Sequence, residues 1–203
     1  EEMQRLEMAL RPLLQHYPDV VVSVDTFRSS VARQCVEKYG VAMINDISGG
    51  ELDEQMFDTV AQLRVPYIMM HMRGTPQTMQ QQADYEDVTA DLLKYFSQKL
   101  ERLFRLGVND VILDPGFGFS KTLTQNYDLM RHLGDFRIFG LPLLIGVSRK
   151  SMIYKLLETT PEESLNGTTV LHTYALLQGA DILRVHDVRA AKEAIRIVQQ
   201  LKG

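Results

Sequence analysis

The sequence predicts an α/β chain with parallel strands, of the (β/α)8 barrel class, with about six of the eight strand–helix units present. Two observations predict this class: short apolar runs alternate with segments of helical period, and every apolar run ends in polar residues. Nearly continuous apolar runs are typical of strands that are covered on both faces. The six predicted strands are Val20–Asp25, Ala42–Ile47, Pro66–Met72, Val111–Pro115, Leu143–Ser148 and Ile182–His186.

Segments of helical period lie between these runs, and their ends carry residues that favour helix starts or stops. Gly40 and Gly107 follow two of them, in the position that glycine favours just after a helix. Thr160-Pro161-Glu162-Glu163 is typical of a helix start, with Thr160 as the N-cap. The predicted helices are Glu1–His16, divided at Pro12; Phe27–Tyr39; Asp84–Leu106; the helix from Thr160 to just before Gly179; and Val188–Leu201 with Asp187 as its cap.

The polar residues at the strand ends favour a barrel over an open, doubly wound sheet. In a barrel all carboxyl ends of the strands converge on one face, whereas an open sheet spreads them along an edge. No G-x-G-x-x-G motif follows a predicted strand, which argues against a dinucleotide site. The residues at these ends are Asp25, Asn45, His71, Asp114, Ser148 with Lys150, and Arg184 with His186.

Six predicted strands are two fewer than a complete barrel of this class contains. The sequence also opens on a predicted helix with no strand before it. We therefore expect residues 1–203 to form a single barrel domain that lacks its first two strand–helix units and belongs to a longer chain.

Charge and composition exclude several classes of protein. Lys plus Arg number 22 and Asp plus Glu number 26, so the formal net charge is −4, whereas a general nucleic-acid partner requires a basic surface. No apolar run approaches the roughly 20 residues of a membrane span, and no signal peptide pattern opens the sequence. The single cysteine, Cys35, excludes an internal disulfide framework. We expect a cytoplasmic protein without nucleic-acid or membrane partners.

Asp25, Asn45 and Asp114 indicate recognition of a flat heterocycle. A carboxylate offers only hydrogen-bond acceptors and suits a ring with N–H and NH2 groups, while an amide adds both a donor and an acceptor. Any one of these residues alone is more typical of a helix N-cap or of a side chain that holds a loop by a hydrogen bond. Because all three are expected as buried groups on one face of the barrel, we favour the binding interpretation.

The segment Asp114-Pro115-Gly116-Phe117-Gly118-Phe119 is more specific. Its two glycines allow the backbone to pass close to a bound group. Its two phenylalanines suit the walls of a pocket for a planar ligand. The alternative is a glycine-rich turn with core aromatic side chains.

Two further segments are typical of anion binding. Ser148-Arg149-Lys150-Ser151 places hydroxyl groups and cations at a helix start, where Lys150 is also suited to donate to a carbonyl oxygen of the heterocycle. Alternation places Arg184 and His186 on the same side of the last strand, next to a helix start, and this pair suits phosphate or pyrophosphate. The alternatives are a solvated basic turn and a structural histidine.

Other candidate binding, metal-ligating or catalytic residues give weak or no functional predictions. Met69, Met70 and Met72 are typical of core packing, and only Met70 is assigned to a pocket wall. His71 lacks a second His or Cys at the spacing of a zinc site. Cys35 lies inside a predicted helix with no group to activate it, and no Ser–His–Asp arrangement is recognisable.

Taken in order along the chain, six motifs resemble those of the dihydropteroate synthases. The resemblance runs from about Ser23 to the C-terminus. It implies a transferase of folate biosynthesis in which 4-aminobenzoate displaces pyrophosphate from 6-hydroxymethyl-7,8-dihydropterin diphosphate to give 7,8-dihydropteroate. The motifs are Ser23-Val24-Asp25-Thr26, Ile44–Gly50 (INDISGG), Met70–Gly74 (MHMRG), Leu113–Phe119 (LDPGFGF), Ser148–Ser151 (SRKS) and Gly179–Asp187 (GADILRVHD).

The resemblance implies a role for each residue that matches a motif. Ser151 would receive the aminobenzoate carboxylate, and Arg184 with His186 would bind the diphosphate. Lys150, Arg184 and His186 would be the catalytic residues, with no strong base among them. The residues implied for pterin binding are Asp25, Asn45, Met70, Asp114, Phe119, Lys150 and Arg184.

The resemblance also implies magnesium bound with the diphosphate and competition by sulfonamides at the aminobenzoate site. We further expect a homodimer. The family's two mobile loops follow its first two strands and are not in this sequence, so the metal-ligating Asn is expected upstream of Glu1 and no metal ligand within residues 1–203. We expect these residues alone to bind pterin without detectable turnover. Ser120 and Met152 stand where glycine and phenylalanine are frequent in the family.

Two alternatives remain open at this point. A methyltetrahydrofolate-binding domain of a corrinoid-dependent methyltransferase would share the pterin residues but has no use for an anion site at Arg184 and His186. A non-catalytic pterin-binding paralogue would not need to retain those anion-binding residues either.

Overall fold

The computed structural model describes residues 1–202, within which there are six strands and eight α-helices. All six predicted strands are present, and each is shorter than the apolar run that predicted it. Two 3-10 helices, Met79–Gln81 and Leu133–Phe139, complete the described elements. In chain order the others are α1 (Glu2–His16), β1 (Ser23–Asp25), α2 (Ser29–Tyr39), β2 (Met43–Asp46), α3 (Met56–Leu63), β3 (Tyr67–Met70), α4 (Val88–Arg105), β4 (Val111–Asp114), α5 (Leu123–Arg131), β5 (Leu144–Ile145), α6 (Ser151–Tyr154), α7 (Leu165–Gln178), β6 (Ile182–Leu183) and α8 (Val188–Lys202).

These residues form two compact units. The first unit comprises Glu1–Met70 and Gln98–Ile112, and the second comprises His71–Ser97 and residues 113–202. Helix α4 and strand β4 each have residues in both units. The expectation of a single domain over residues 1–203 stays a prediction.

The first unit is built on parallel strands in the order β1-β2-β3-β4. Asp25 of β1 is paired with Asn45 of β2, which is paired in turn with Ile68 of β3. The backbone N–H of Tyr67 donates to the carbonyl of Asp110, just before β4. All four residues of β3 are buried, because both faces of the strand are covered by apolar groups.

The second unit contains the parallel pair β5 and β6, in which Leu144 is paired with Ile182 and Ile145 with Leu183. Leu113, from the end of β4, bridges to Leu143 just before β5. Because a parallel strand pair needs a crossover connection, α6 and α7 lie between β5 and β6 in the chain. Helices α7 and α8 pack together, and a small core at their contact contains Leu176, Ala194 and Val198.

Two expectations about helices are wrong. Pro12 does not divide the first helix, because α1 continues through it from Glu2 to His16. Proline removes the hydrogen bond to the carbonyl of the residue four positions earlier, which is Met8, and Met8 is 79% exposed, so Pro12 acts on a part of the helix that solvent reaches. Thr160 is not the N-cap of α7, which begins at Leu165 with Ser164 before it.

The segment that precedes α7 is a turn. The hydroxyl of Ser164 donates to the carbonyl of Pro161, and the N–H of Glu163 donates to the hydroxyl of Thr160 at 3.4 Å. The residues that predicted a helix start, Thr160–Glu163, therefore form a local turn, and the helix begins after it. Helices α3 and α5 were not predicted, whereas the helix start expected at Ser148–Ser151 is the start of α6 at Ser151. Among the described residues, no helix combines the length and the apolar character that crossing a membrane requires.

Candidate active site

In the first unit, Asn45 and Asp25 lie at the carboxyl ends of neighbouring strands, as predicted. The parallel register places them opposite one another, and the Asn45 amide donates from Nδ2 to Asp25 Oδ2 at 3.0 Å. Asn45 is buried, and within residues 1–202 its Oδ1 has no hydrogen-bond partner. A buried acceptor without a donor costs about 1–3 kcal/mol, so this oxygen is suited to a donor from a ligand.

Asp25 itself is exposed, so the expectation of a buried carboxylate is wrong for this residue. The physical reason is its strand, because β1 is the first strand in the sheet order and has a neighbour on one side only in the described structure. Met70, the third residue assigned to pterin binding in this unit, is fully buried at the end of β3.

The position of Asn45 is secured by the next residue, Asp46, which is fully buried. Its carboxylate accepts hydrogen bonds from the Ser48 and Gly50 N–H groups, at 2.8 Å each, and from the hydroxyl of Tyr67 at 2.7 Å. These bonds join β2, the turn that follows it and β3. Sequence reasoning did not assign a role to Asp46, although it lies in the INDISGG motif.

In the second unit, the carboxylate of Asp114 accepts hydrogen bonds from the turn that follows it and from Arg184. Its side chain is 1% exposed, Oδ1 accepts from the N–H of Gly116 at 2.8 Å, and Oδ2 accepts from Arg184 Nη2 at 3.1 Å. An ionised carboxylate offers roughly four acceptor positions, so about two remain for other donors. Asp114 is buried as predicted, and the ion pair to Arg184 compensates its charge.

Gly146, which follows β5, makes room for Arg184. A Cβ atom at Gly146 would lie 2.9 Å from Nη2 and 3.0 Å from Nε of Arg184. The guanidinium therefore packs directly on the backbone at this position and reaches Asp114 across it. Sequence reasoning missed this glycine, although it lies just before the SRKS motif.

Lys150 immediately precedes α6, and its side chain contacts the glycine-rich turn that contains Gly116–Phe119. Its Nζ donates to the carbonyl of Phe117 at 2.6 Å and lies 4.9 Å from the centre of the Phe119 ring. Burial lowers the pKa of Lys150 to about 8, with the charge of Asp114 acting in the opposite direction and that of Arg184 adding to the decrease. Phe119 is half-buried, whereas Phe117 is fully buried.

Lys121, which sequence reasoning missed, is a second buried amine at this turn. Its Nζ contacts the carbonyls of Gly116 and Phe119 at 3.0 and 2.9 Å and His71 Nδ1 at 3.2 Å. Burial lowers its pKa to about 7, opposed by the charge of Asp114. Burial also lowers the pKa of His71, with the charge of Lys121 adding to the effect. Lys121 thus holds both ends of the turn that carries Phe117.

Ser148 and His186 lie side by side after β5 and β6. Ser148 Oγ accepts from the backbone N–H of His186 at 3.2 Å and lies 2.9 Å from His186 Nδ1. The next residues, Arg149 and Asp187, form a two-point ion pair at 2.9 and 2.7 Å. This pair lowers the pKa of Asp187 and raises that of Arg149. The carboxylate expected to cap α8 and one cation of the expected anion site are thus bound to each other.

Ser151 begins α6 and is half-buried, and within residues 1–202 its hydroxyl makes no hydrogen bond. Ser120, where glycine is frequent, has φ of +46° and is fully buried. Its hydroxyl accepts from the N–H of Arg73 at 2.7 Å, which offsets the cost of the left-handed conformation. Met152 is buried, and its carbonyl accepts from the hydroxyl of Tyr127.

The family described as pterin binding enzyme matches residues 1–186 of the chain. The dihydropteroate synthase of Escherichia coli K12 is 42% identical over 202 residues, which cover 98% of this chain and 70% of that protein. The dihydropteroate synthase of Synechocystis is 41% identical over 204 residues, which cover 99% of this chain and 70% of that protein. The chain belongs to the dihydropteroate synthase family.

Solved dihydropteroate synthases have the same fold. The Yersinia pestis structure with a sulfonamide drug superposes with a TM-score of 0.93 at 37% identity, covering 99% of this chain and 73% of that one. The Thermus thermophilus structure with 4-aminobenzoate superposes with a TM-score of 0.93 at 38% identity, covering 99% of this chain and 77% of that one. The fold class, the family and the enzyme class expected from the sequence, a transferase of folate biosynthesis, are confirmed. The synthase interpretation is supported over the methyltransferase and non-catalytic alternatives.

The described residues do not form a metal cage. Within residues 1–202 there is no group of three or more His, Cys, Asp or Glu side chains that could hold a metal ion. The one buried carboxylate near the basic residues, Asp114, is already bound to Arg184 and to Gly116. Magnesium stays a prediction from the resemblance.

Substitution of Gly146 by alanine tests the placement of Arg184. The new methyl group would displace the guanidinium, and we expect inorganic pyrophosphate to bind about tenfold more weakly, or about 1.4 kcal/mol, as measured by calorimetry. Gly134→Ala is the matched control, because its Cβ would meet the end of the Gln178 side chain at 3.1 Å. Equal affinities in the parent and in Gly146→Ala would contradict the expectation, implied by the resemblance, that Arg184 held in this position binds the diphosphate.

Proposed function

We propose that the residues of this chain bind and activate 6-hydroxymethyl-7,8-dihydropterin diphosphate for attack by 4-aminobenzoate, with release of pyrophosphate and formation of 7,8-dihydropteroate. The observation that carries the proposal is the Asp114 carboxylate, buried, paired to Arg184 and left with unused acceptor positions. Family membership supports the same reaction.

Asp114 is suited to the N–H and NH2 edge of the pterin, because its remaining oxygen lone pairs accept from those groups. Lys150 is suited to a carbonyl oxygen of the ring, since its ammonium lies at the same turn and donates. The half-buried Phe119 ring offers an apolar face beside that ammonium.

Asn45, Asp25 and Met70 are proposed for pterin binding on the resemblance to dihydropteroate synthases. Asn45 Oδ1 is a buried acceptor that no described residue satisfies. Asp25 bonds the other atom of that amide and so sets which way it points. Met70 is assigned as an apolar wall on its burial at the strand end.

Arg184 and His186 are proposed to bind the diphosphate. Charge neutralisation by donors makes diphosphate a better leaving group, and the reduced pterin donates electron density to the methylene carbon as the C–O bond breaks. The amine nitrogen of aminobenzoate then forms the new C–N bond and loses a proton. A strong protein base is not required, since positive charge on the methylene carbon makes it electrophilic enough for an arylamine.

Ser151 is proposed to bind the carboxylate of aminobenzoate. Its hydroxyl is a donor that makes no hydrogen bond within residues 1–202. Sulfonamides compete at this position under the same proposal. The homodimer, the magnesium ion and the cytoplasmic location expected above stay predictions; sedimentation of the chain would check the first of them.

Removal of the Asp114 carboxylate tests the pterin assignment. Asp114→Ala should weaken binding of a pterin that lacks the diphosphate by about 2–5 kcal/mol, the usual loss for a buried charged hydrogen-bond partner, as measured by calorimetry. The control is Asp110→Ala, an exposed carboxylate at the opposite end of β4. Unchanged affinity in a folded Asp114→Ala chain would refute the assignment.

The depressed pKa of Lys150, about 8, predicts how pterin binding depends on pH. Above that pH the ammonium loses its proton and one of its donors, so the ratio of the parent's pterin affinity to that of Lys150→Met should fall between pH 7 and pH 10. Taking the ratio cancels titration of the ligand. Lys155→Met, an exposed lysine just after α6, should give a constant ratio. A ratio for Lys150→Met that is also independent of pH would contradict the role of the ammonium.

The aminobenzoate assignment predicts a loss confined to one substrate. Ser151→Ala should bind 4-aminobenzoate about tenfold more weakly, because a donor to the carboxylate is lost, while pterin affinity holds. The exposed Ser97 on α4, changed to alanine, serves as the control. Competition by 4-aminobenzamide as strong as that by the acid would show that no carboxylate site exists there.

A further inference from the structure

The register of β5 and β6 continues beyond the strands as side-chain contacts. Partners in the strand pair are 38 positions apart, and the same separation recurs in the hydrogen bonds that follow. These contacts lie at the carboxyl ends of both strands, where parallel neighbours present their polar groups to the same side. The pairs in question are Gly146 with Arg184, Ser148 with His186, and Arg149 with Asp187.

We propose that Ser148 is a positioning residue that holds His186 in the tautomer with its proton on Nε2, so that neutral His186 donates a hydrogen bond to the diphosphate. The proposal deepens the proposed function, on which it rests for the role of the anion. It assigns a task to Ser148 as the first residue of the SRKS motif.

The hydrogen-bond inventory of Ser148 supports this proposal. A serine hydroxyl has one hydrogen to donate and two lone pairs that accept. The backbone N–H of His186 can only donate, so at 3.2 Å it occupies one lone pair of Ser148 Oγ. Within residues 1–202 the remaining partner of this oxygen is His186 Nδ1 at 2.9 Å.

The direction of the second bond follows from burial. Ser148 is 4% exposed, so its hydroxyl hydrogen has little access to water. If Nδ1 carried the proton and donated, that hydrogen would be left without an acceptor, which is unfavourable in a buried position. Donation from Oγ to Nδ1 satisfies the hydroxyl, the backbone N–H and the ring nitrogen together.

The consequence lies at the other edge of the ring. A neutral imidazole has one N–H, and if Nδ1 accepts, the proton is on Nε2. His186 is exposed, so Nε2 is available to a ligand. Diphosphate oxygens are acceptors, and an Nε2–H donates to them, whereas the opposite tautomer would present a lone pair to an oxygen.

The backbone on both sides of this contact is held in place. The N–H of Arg149 donates to the hydroxyl of Thr168 on α7 at 3.1 Å, and the Arg149 side chain makes its two-point ion pair with Asp187. Ser148 therefore approaches His186 from a fixed segment, as a positioning residue must.

The first measurement is spectroscopic and does not involve a ligand. In the 15N-labelled chain, long-range 1H–15N spectra report which ring nitrogen is protonated, and they are recorded on the alkaline plateau of a pH series, where the spectra themselves show a neutral ring. His186 is assigned by its loss in His186→Gln. We expect the parent and Ser148→Thr to show Nε2–H, and Ser148→Ala to show a mixture of tautomers. The control Thr169→Ala removes a hydroxyl that donates to a backbone carbonyl of its own helix, α7, and should match the parent.

The second measurement is affinity for inorganic pyrophosphate. Ser148→Ala should bind it about tenfold more weakly, Ser148→Thr should restore most of that loss, and binding of a pterin without diphosphate should stay within about twofold. A parent that shows Nδ1–H, or Ser148→Ala with the parent's tautomer, would overturn the proposal. If the tautomers behave as expected but His186→Gln binds pyrophosphate as well as the parent does, the diphosphate assignment fails and, with it, the task given to Ser148.

Discussion

In each unit, the parallel register of neighbouring strands decides which polar side chains reach one another. Asp25 and Asn45 are register partners in β1 and β2, and their side chains are hydrogen-bonded. In the second unit the register of β5 and β6 brings Ser148 to His186. A shift of either pair by one residue would turn these side chains to the opposite face and leave each without its partner.

The second unit gathers one buried carboxylate and several cations. Asp114 is compensated by Arg184, and the amines of Lys121 and Lys150 are held by backbone carbonyls of the glycine-rich turn. Burial lowers the pKa of both amines, to about 7 and about 8, because an ammonium loses its hydration there. An anionic ligand near this turn would stabilise the charged form of both amines.

Small residues in the second unit allow charged side chains to pack close to the backbone. Gly146 admits the Arg184 guanidinium against the backbone, and a Cβ at Gly118, where φ is +82°, would come 3.3 Å from Lys150 Cδ. Ser120 departs from the glycine that is frequent in its position, yet keeps a left-handed backbone because its hydroxyl binds the N–H of Arg73. This hydrogen bond offsets part of the cost that a residue with a Cβ pays for the left-handed conformation.

The sequence by itself determined the strand–helix alternation, all six strands and the residues at their carboxyl ends, because apolar runs and polar strand ends are local patterns. It also identified the family, since the order of the motifs is a property of the chain. It did not reveal Lys121, Gly146 or the Ser148–His186 contact, and it misplaced the start of α7 and the effect of Pro12. These depend on which groups meet across tens of residues and on which side of a helix faces solvent. Only the tertiary structure decides that, because the free energy of a buried hydrogen bond or ion pair depends on partners that the sequence does not place.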